Sequence, residues 1–557
     1  MRYKIIVITL AVLSLAPPCY ALEIESASTE TDLQRGKELE QRLKPAERPA
    51  EIQEPTKIEG EKRPVKFFVK KIVLEGCKEV DPEAFADLLK KFENRELPLD
   101  ELDDLSREIQ KRYLKIGYLA ACFVPSQEVK DGNVTIRVVE AKMGQLKISD
   151  HKYFNKERLR YYWTLPEGQP VNYHKLSKSV QLMNENPDRS VRAVLHAGEK
   201  PKTTDVLLET KTKFPIHLTS SFDREGVRYT GKEKYGFGLK DNNLLGLDDR
   251  FLAGYIFGRN FDGFYAYNKI PVTYFGTSVL LGYSQTKSFP KKEYEPYAID
   301  ARSRNCSFLM YQDLFKGDRY LGEIYAGLDA KDKTLRTGSG LSSRDRLRPL
   351  RLGGDFALRV LGGAFYINPE ISQGVNILGA KRKSELSSNN AKNTFSKFTV
   401  SSQYKKPLPL DMQGLLKFET QLSSTRLAPQ EEFSLGGIDS VRGYPPGDYM
   451  ADSAIKASAE LLVPALLIPE KVKLLYDDKP LRTRVFGLLF VDYGYGKKRG
   501  VSLSEDGERT LISVGAGLRI KFFDMGLLRL EWGFPIGDRS LTEEGDSRFH
   551  ISFDFES

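Results

Sequence analysis

The chain has 557 residues, 40% of them hydrophobic and 29% charged, with a formal net charge of +9. That length suggests two to four domains. The mean hydropathy of −0.41 and the lack of long apolar runs exclude a bundle of membrane-spanning helices, each of which needs about 20 consecutive apolar residues. They do not exclude a membrane β-barrel, whose strands alternate lipid-facing and lumen-facing residues and so average out as polar. The 45 Gly, 27 Tyr and 31 Phe, beside 2 Trp and 5 His, suit that second class.

Residues 1–21 read as a secretory signal. Arg2 and Lys4 form a charged start, residues 5–15 an apolar stretch, and Cys19-Tyr20-Ala21 a small-residue cleavage site. Pro17-Pro18 before Cys19 fits a lipoprotein site poorly. Cleavage removes two positive charges, and the modest charge left is spread too widely to argue for nucleic acid. Cys77, Cys122 and Cys306 remain, too few for a disulfide scaffold. A Cys77–Cys122 pair and two free thiols are both open.

Residues 22–44 are charged and poor in apolar side chains. Within them 31–43 (TDLQRGKELEQRL) is a predicted helix, with Thr31 as cap and Leu33, Leu39 and Leu43 as its apolar residues. Gly36 weakens it. Residues 45–65, punctuated by Pro45, Pro49, Pro55 and Pro64, read as an extended linker or as plain disorder.

From Lys66 the pattern changes. FFVKKIVLEG is a predicted strand, Asp81-Pro82 starts a helix, and a second helix begins at Leu99. Leu102, Leu105, Ile109 and Tyr113 share one face of it, and Gly117 stops it. YLAACFVP and NVTIRVVE follow as strands. This β-α-α-β-β order occupies 66–141 and recurs over 142–213, through GQLKI, two short helices, SVRAVLHAG and TTDVLLETK.

From 214 to 557 helical periodicity gives way to period two. In one strand Ile512, Val514, Ala516, Leu518, Ile520 and Phe522 oppose Ser513, Gly515, Gly517, Arg519 and Lys521. Leu528, Leu530, Trp532 and Phe534 oppose Arg529, Glu531 and Gly533; Phe549, Ile551, Phe553 and Phe555 oppose His550, Ser552 and Asp554. A soluble sandwich also alternates. Alternation sustained over the length of a spanning strand, charge and glycine on the polar face, and the export signal favour a membrane barrel. It must close, because lipid offers no partner to a free strand edge.

Between two such strands lies a long loop, about 425–454, that contains LGGIDSVRGY. Spacing alone reads it as an exposed loop with a solvated Arg442. The tip Val441-Arg442-Gly443-Tyr444, however, resembles the signature of the Omp85 superfamily, in which this loop folds back into the barrel. Its docking motif there, F-x-D-x-G, is similar to Phe490-Val491-Asp492-Tyr493-Gly494. Phe490 and Asp492 share a strand face opposite Leu489 and Val491, and the resemblance implies a salt bridge between Arg442 and Asp492.

The stretches GYLAACFVPSQEVKDGNVTIRVVEAKMGQLKI and AVLHAGEKPKTTDVLLETK look like POTRA domains of two-partner secretion transporters of the hemolysin secretion/activation type (TpsB). The resemblance implies two periplasmic POTRA domains, an N-terminal helix that plugs the lumen, and a 16-stranded antiparallel outer-membrane barrel. The 344 residues from 214 onward would allot 21.5 to each strand and connection. The chain departs from the family pattern in its last residues, Phe555-Glu556-Ser557, with Phe555 left as the terminal lipid-facing aromatic.

The implied function is a pore that recognises an unfolded, β-helical exoprotein (TpsA-like) through its POTRA domains and passes it outward without ATP. Consistently, no G-x-x-x-x-G-K-[ST] occurs. The implied partners are that exoprotein, outer-membrane lipid and, during biogenesis, the barrel assembly machinery. The alternative from the same superfamily is an insertase for outer-membrane proteins. An enzyme is disfavoured, since His217 and His550 are the histidines of the barrel region and neither has a suggestive context. No catalytic residue, metal site or cofactor is expected.

Overall fold

The structure, a computed structural model, describes residues 66–557 apart from 130, 318, 382–386, 388–390, 474–478, 502–505 and 544, together with the backbone of Ala50–Ile52. The expected signal, the expected plug helix with Leu33, Leu39 and Leu43, and most of the linker lie outside the described residues. Two units result, one built around 66–215 with 246–248 and one from 216–245 with 249–557.

The first unit holds two α+β modules. In the first, FFVKKIVLEG forms two strands rather than one, Lys66–Val69 and Lys71–Glu75. The break falls at Lys70, whose N–H donates to the Gly132 carbonyl at 2.7 Å. Lys66–Val69 pairs instead with Arg95–Pro98, a strand with no alternation to announce it. Asp81 caps the first helical turn by accepting the Glu83 N–H at 2.9 Å, with Pro82 next in line. The long helix Leu99–Ile116 ends at Gly117, whose φ of 105° suits glycine. Its Leu102, Leu105, Ile109 and Tyr113 are fully buried against the sheet. Each such aliphatic side chain contributes about 1.5–3 kcal/mol. In the sheet Asn133–Glu140 is central, parallel to Lys71–Glu75 and antiparallel to Ala120–Phe123.

The second module repeats this plan. Thr203–Thr212 is parallel to Lys142–Ser149 and antiparallel to Arg189–Ala197. Asn155 and Asn172 cap its helices Lys156–Tyr161 and Tyr173–Met183. Ala50–Ile52 adds a parallel strand beside Arg189–Ala197. Cys77, Cys122 and Cys306 are all free thiols.

The second unit is a closed antiparallel barrel of sixteen strands, from Ile216–Asp223 to Arg548–Glu556. Gly340–Leu347 and Pro349–Val360 both pair with Tyr320–Thr337 and are one strand interrupted at Arg348. Pro349 has no N–H for the ladder there. First and last strands close the barrel from Thr219↔Glu556 to Asp223↔Ser552. The alternation holds in three dimensions. Val514 and Leu518 of Glu508–Phe522 are exposed outward, as are Leu489 and Val491 of Val485–Lys497, while Phe490, Asp492 and Ser513 are buried inward. An apolar exterior around a polar interior is the pattern of a barrel in lipid. Among the described residues no helix is long and apolar enough to cross a membrane.

Candidate functional site: the inward loop and its wall

The loop 424–452 joins the strands Gln413–Ser423 and Ser453–Pro464. It carries its own small hairpin, Phe433–Leu435 against Tyr449–Ala451. Leu435, Val441, Tyr444, Tyr449 and Ala451 pack with Ala454 and Leu511 of the wall into an apolar cluster inside the barrel. The loop is therefore folded inward, and Arg442 is 1% exposed. The reading from spacing alone, an exposed loop with a solvated arginine, is overturned.

The structure brings Arg442 and Asp492 together. Arg442 Nη2 and Nε donate to the two carboxylate oxygens of Asp492 at 2.6 and 2.7 Å. The Arg442 backbone N–H donates to the same carboxylate at 3.0 Å. Ser458 Oγ accepts from Nη2 at 3.0 Å and donates to Asp492 at 2.7 Å. The guanidinium lies 3.6 Å from the centre of the Phe490 ring, a close cation–π contact.

The arginine has further partners that the motifs do not announce. Nη1 meets Glu531 at 2.8 Å and Glu460 at 3.0 Å. These two carboxylates also face Lys417, Arg519 and Arg529, and Arg529 reaches back to Asp439 in the loop at 2.7 Å. Four cations (Arg442, Lys417, Arg519, Arg529) thus balance four carboxylates (Asp492, Glu460, Glu531, Asp439). Burial works against the ionised Asp439, yet Arg529 beside it holds its carboxyl below the usual range.

The glycines of the motifs have steric roles. Gly443 has a φ of 92°, a left-handed conformation that favours glycine. A Cβ on Gly494 would come within 2.8 Å of Val441 Cγ2, so its absence leaves room for the tip. Tyr444 is fully buried and its hydroxyl faces the Ile512 carbonyl at 3.4 Å.

Acidic residues anchor the rest of the loop. Glu431 pairs with Lys331 at 2.8 Å and accepts from Lys397 at 2.7 Å. Burial opposes its charge, but the two ammonium groups hold its carboxyl down at about 2. Asp448 Oδ1 accepts from Ser540 Oγ at 2.6 Å and from the Leu541 and Thr542 N–H groups at 3.0 and 3.1 Å. Asp452 accepts the N–H groups of Leu427 and Arg499, both at 2.6 Å.

Sequence reasoning missed Ser458, Glu460, Arg519, Arg529, Glu531 and Gly533 as parts of this site. Alternation places Arg529, Glu531 and Gly533 on the polar face of one strand, so their inward direction was readable. Their meeting with a loop some ninety positions away was not.

The model for haemolysin secretion/activation proteins of the ShlB/FhaC/HecB type matches residues 202–520. The model for POTRA domains of the ShlB type matches 67–141. The outer membrane transporter CdiB of Dickeya dadantii (strain 3937) is 24% identical over 365 residues, which cover 63% of this chain and 64% of that protein. The heme/hemopexin transporter protein HuxB of Haemophilus influenzae (strain 86-028NP) is 22% identical over 472 residues, 80% of this chain and 79% of that one. The chain thus spans a little under two thirds of the CdiB relative. Among solved structures, CdiB from Escherichia coli superposes with a TM-score of 0.71 at 20% identity, covering 96% of this chain and 99% of that chain. BamA from Haemophilus ducreyi lacking POTRA domains 1–3 gives 0.56 at 14% identity, covering 88% of this chain and all of that one.

Proposed function

Because the chain belongs to the haemolysin secretion/activation protein family of the ShlB/FhaC/HecB type, an outer-membrane barrel family, we propose that it is a protein-secretion pore. Its two N-terminal modules act as POTRA domains that receive an unfolded exoprotein in the periplasm, by strand addition at a sheet edge or in a helix–strand groove. The barrel then passes the polypeptide outward. No nucleotide drives the step; folding of the substrate outside does.

The observation that carries this reading is the inward loop. A closed barrel with its own loop packed in the lumen, pinned by Arg442 to Asp492, Glu460 and Glu531, is a channel at rest. Opening requires that pin to yield or to move as a unit. A balanced, buried charge cluster specifies one position for the loop and resists intermediate ones.

Two measurements test the proposal. Deleting the gene is expected to remove one large β-rich protein from the medium or cell surface, and Arg442→Ala to do the same while the barrel still inserts. Normal secretion by Arg442→Ala overturns the role of the loop. Crosslinking from the modules is expected to capture that exoprotein; capture of barrel precursors instead would make the protein an insertase.

A further inference from the structure

The loop tip meets the wall at a second place, across the seam where the barrel closes. His550, on the inward face of the last strand, is 0% exposed. Its Nε2 accepts a hydrogen bond from the Gly443 N–H at 2.9 Å. A neutral ring that accepts at one nitrogen carries its proton on the other. That other nitrogen, Nδ1, lies 2.8 Å from Glu225 Oε1 and donates to it. Glu225 stands just beyond the first strand, where its own N–H donates to Asp223 Oδ1 at 2.8 Å. Its second oxygen, Oε2, accepts the Ile438 N–H at 2.9 Å.

The last strand and the residue just beyond the first strand therefore supply one side chain each. The two are joined to one another, and each takes one backbone N–H from the same loop. The seam between the strands is short, with five residue pairs against eight between the first strand and its other neighbour.

We propose that Glu225 and His550 are positioning residues that make docking of the loop tip conditional on a closed seam. Separating the strands pulls Glu225 from His550 and leaves the tip able to keep one of its two N–H bonds at most. A buried donor without a partner raises the free energy of that state. The coupling is reciprocal, so release of the loop loosens the seam as far as opening of the seam releases the loop. This goes beyond the secretion reading, because it holds whichever polypeptide the pore handles.

Hydrogen exchange at the seam amides, peptides 218–225 and 549–557, reads the coupling in the full-length protein in lipid vesicles. Arg442→Ala releases the loop from a different strand, Val485–Lys497. It is expected to speed seam exchange about fivefold or more. His550→Asn keeps a donor toward Glu225 but removes the acceptor under Gly443. It is expected to speed seam exchange by itself, and adding Arg442→Ala to it is expected to change little. His550→Gln restores an acceptor near Nε2 and is expected to bring exchange back toward the parent. Glu225→Gln leaves one carbonyl oxygen for two donors and must behave like His550→Asn; it carries the test if His550→Asn fails to fold, judged by heat-modifiable migration. Unchanged seam exchange in Arg442→Ala overturns the proposal. So does an equal gain from Arg442→Ala in the parent and in His550→Asn.

Discussion

At the scale of single residues, Arg442 is fixed by number of partners as much as by any one of them. Paired motifs imply one salt bridge, and a charge swap would be its natural test. The structure changes the expected result. An aspartate at 442 would face Glu460 and Glu531 as well as an arginine at 492, so Arg442→Asp with Asp492→Arg is expected not to restore a closed channel in planar-bilayer recordings. Arg442→Ala leaves the buried Asp492 carboxylate without its cation, a loss of about 3–5 kcal/mol for the docked loop. Rescue by the swap would show that Asp492 alone matters. Glu432, beside the anchored Glu431, behaves oppositely to its neighbour. Burial pushes its carboxyl from 4.5 up to about 7, with Asp452 adding to the rise and Lys498 opposing it. The docked loop then binds more protons than a released one between about pH 4.5 and 7. Docking is therefore favoured at pH 5 and that advantage is lost as pH rises through 7. Open probability is expected to climb from pH 5 to pH 8, and Glu432→Gln to flatten the climb. An unchanged slope in that variant would assign the titration elsewhere.

At the scale of elements, the sheet modules and barrel strands follow their local patterns closely, and the exceptions have identifiable causes. The alternation from Leu528 to Phe534 appears as the strand Gly526–Pro535, and NVTIRVVE appears as Asn133–Glu140 without a shift. FFVKKIVLEG divides because Lys70 bonds to Gly132, a partner far along the chain. The loop shows the same limit. Its VRGY tip was legible as a motif through family resemblance, but its fit depends on Gly533 in a distant strand. A Cβ there would lie 2.4 Å from the Gly443 nitrogen. Gly533→Ala, like Arg442→Ala, is expected to free the tip and raise conductance in planar bilayers while the barrel stays inserted. Conductance like the parent's would show that the tip can retreat without cost.

At the scale of the whole molecule, the outward faces decide where the protein resides. Val514 lies near the middle of the fifteen-residue strand Glu508–Phe522 and faces outward. Val514→Arg is expected to cost up to about 2–4 kcal/mol, the range for a basic residue near the bilayer midplane. Urea titration of refolding into vesicles measures it, and an arginine tolerated without loss would place that face away from lipid. What the sequence by itself determined was most of what has a short period: the helix cap at Asp81, the apolar stripe of Leu102, Leu105, Ile109 and Tyr113, and the two faces of the barrel strands. Those depend on neighbours within a few residues, where backbone preference and burial act together. What only the tertiary structure decided was which polar faces meet. Arg442 reaches Glu531 over 89 positions and Glu225 reaches His550 over 325, while the Arg442–Asp492 pair, 50 positions apart, was legible only through the family resemblance. Closure of the barrel, which joins the first strand to the last and encloses a loop between them, creates these meetings, and no local pattern encodes a distance across a lumen.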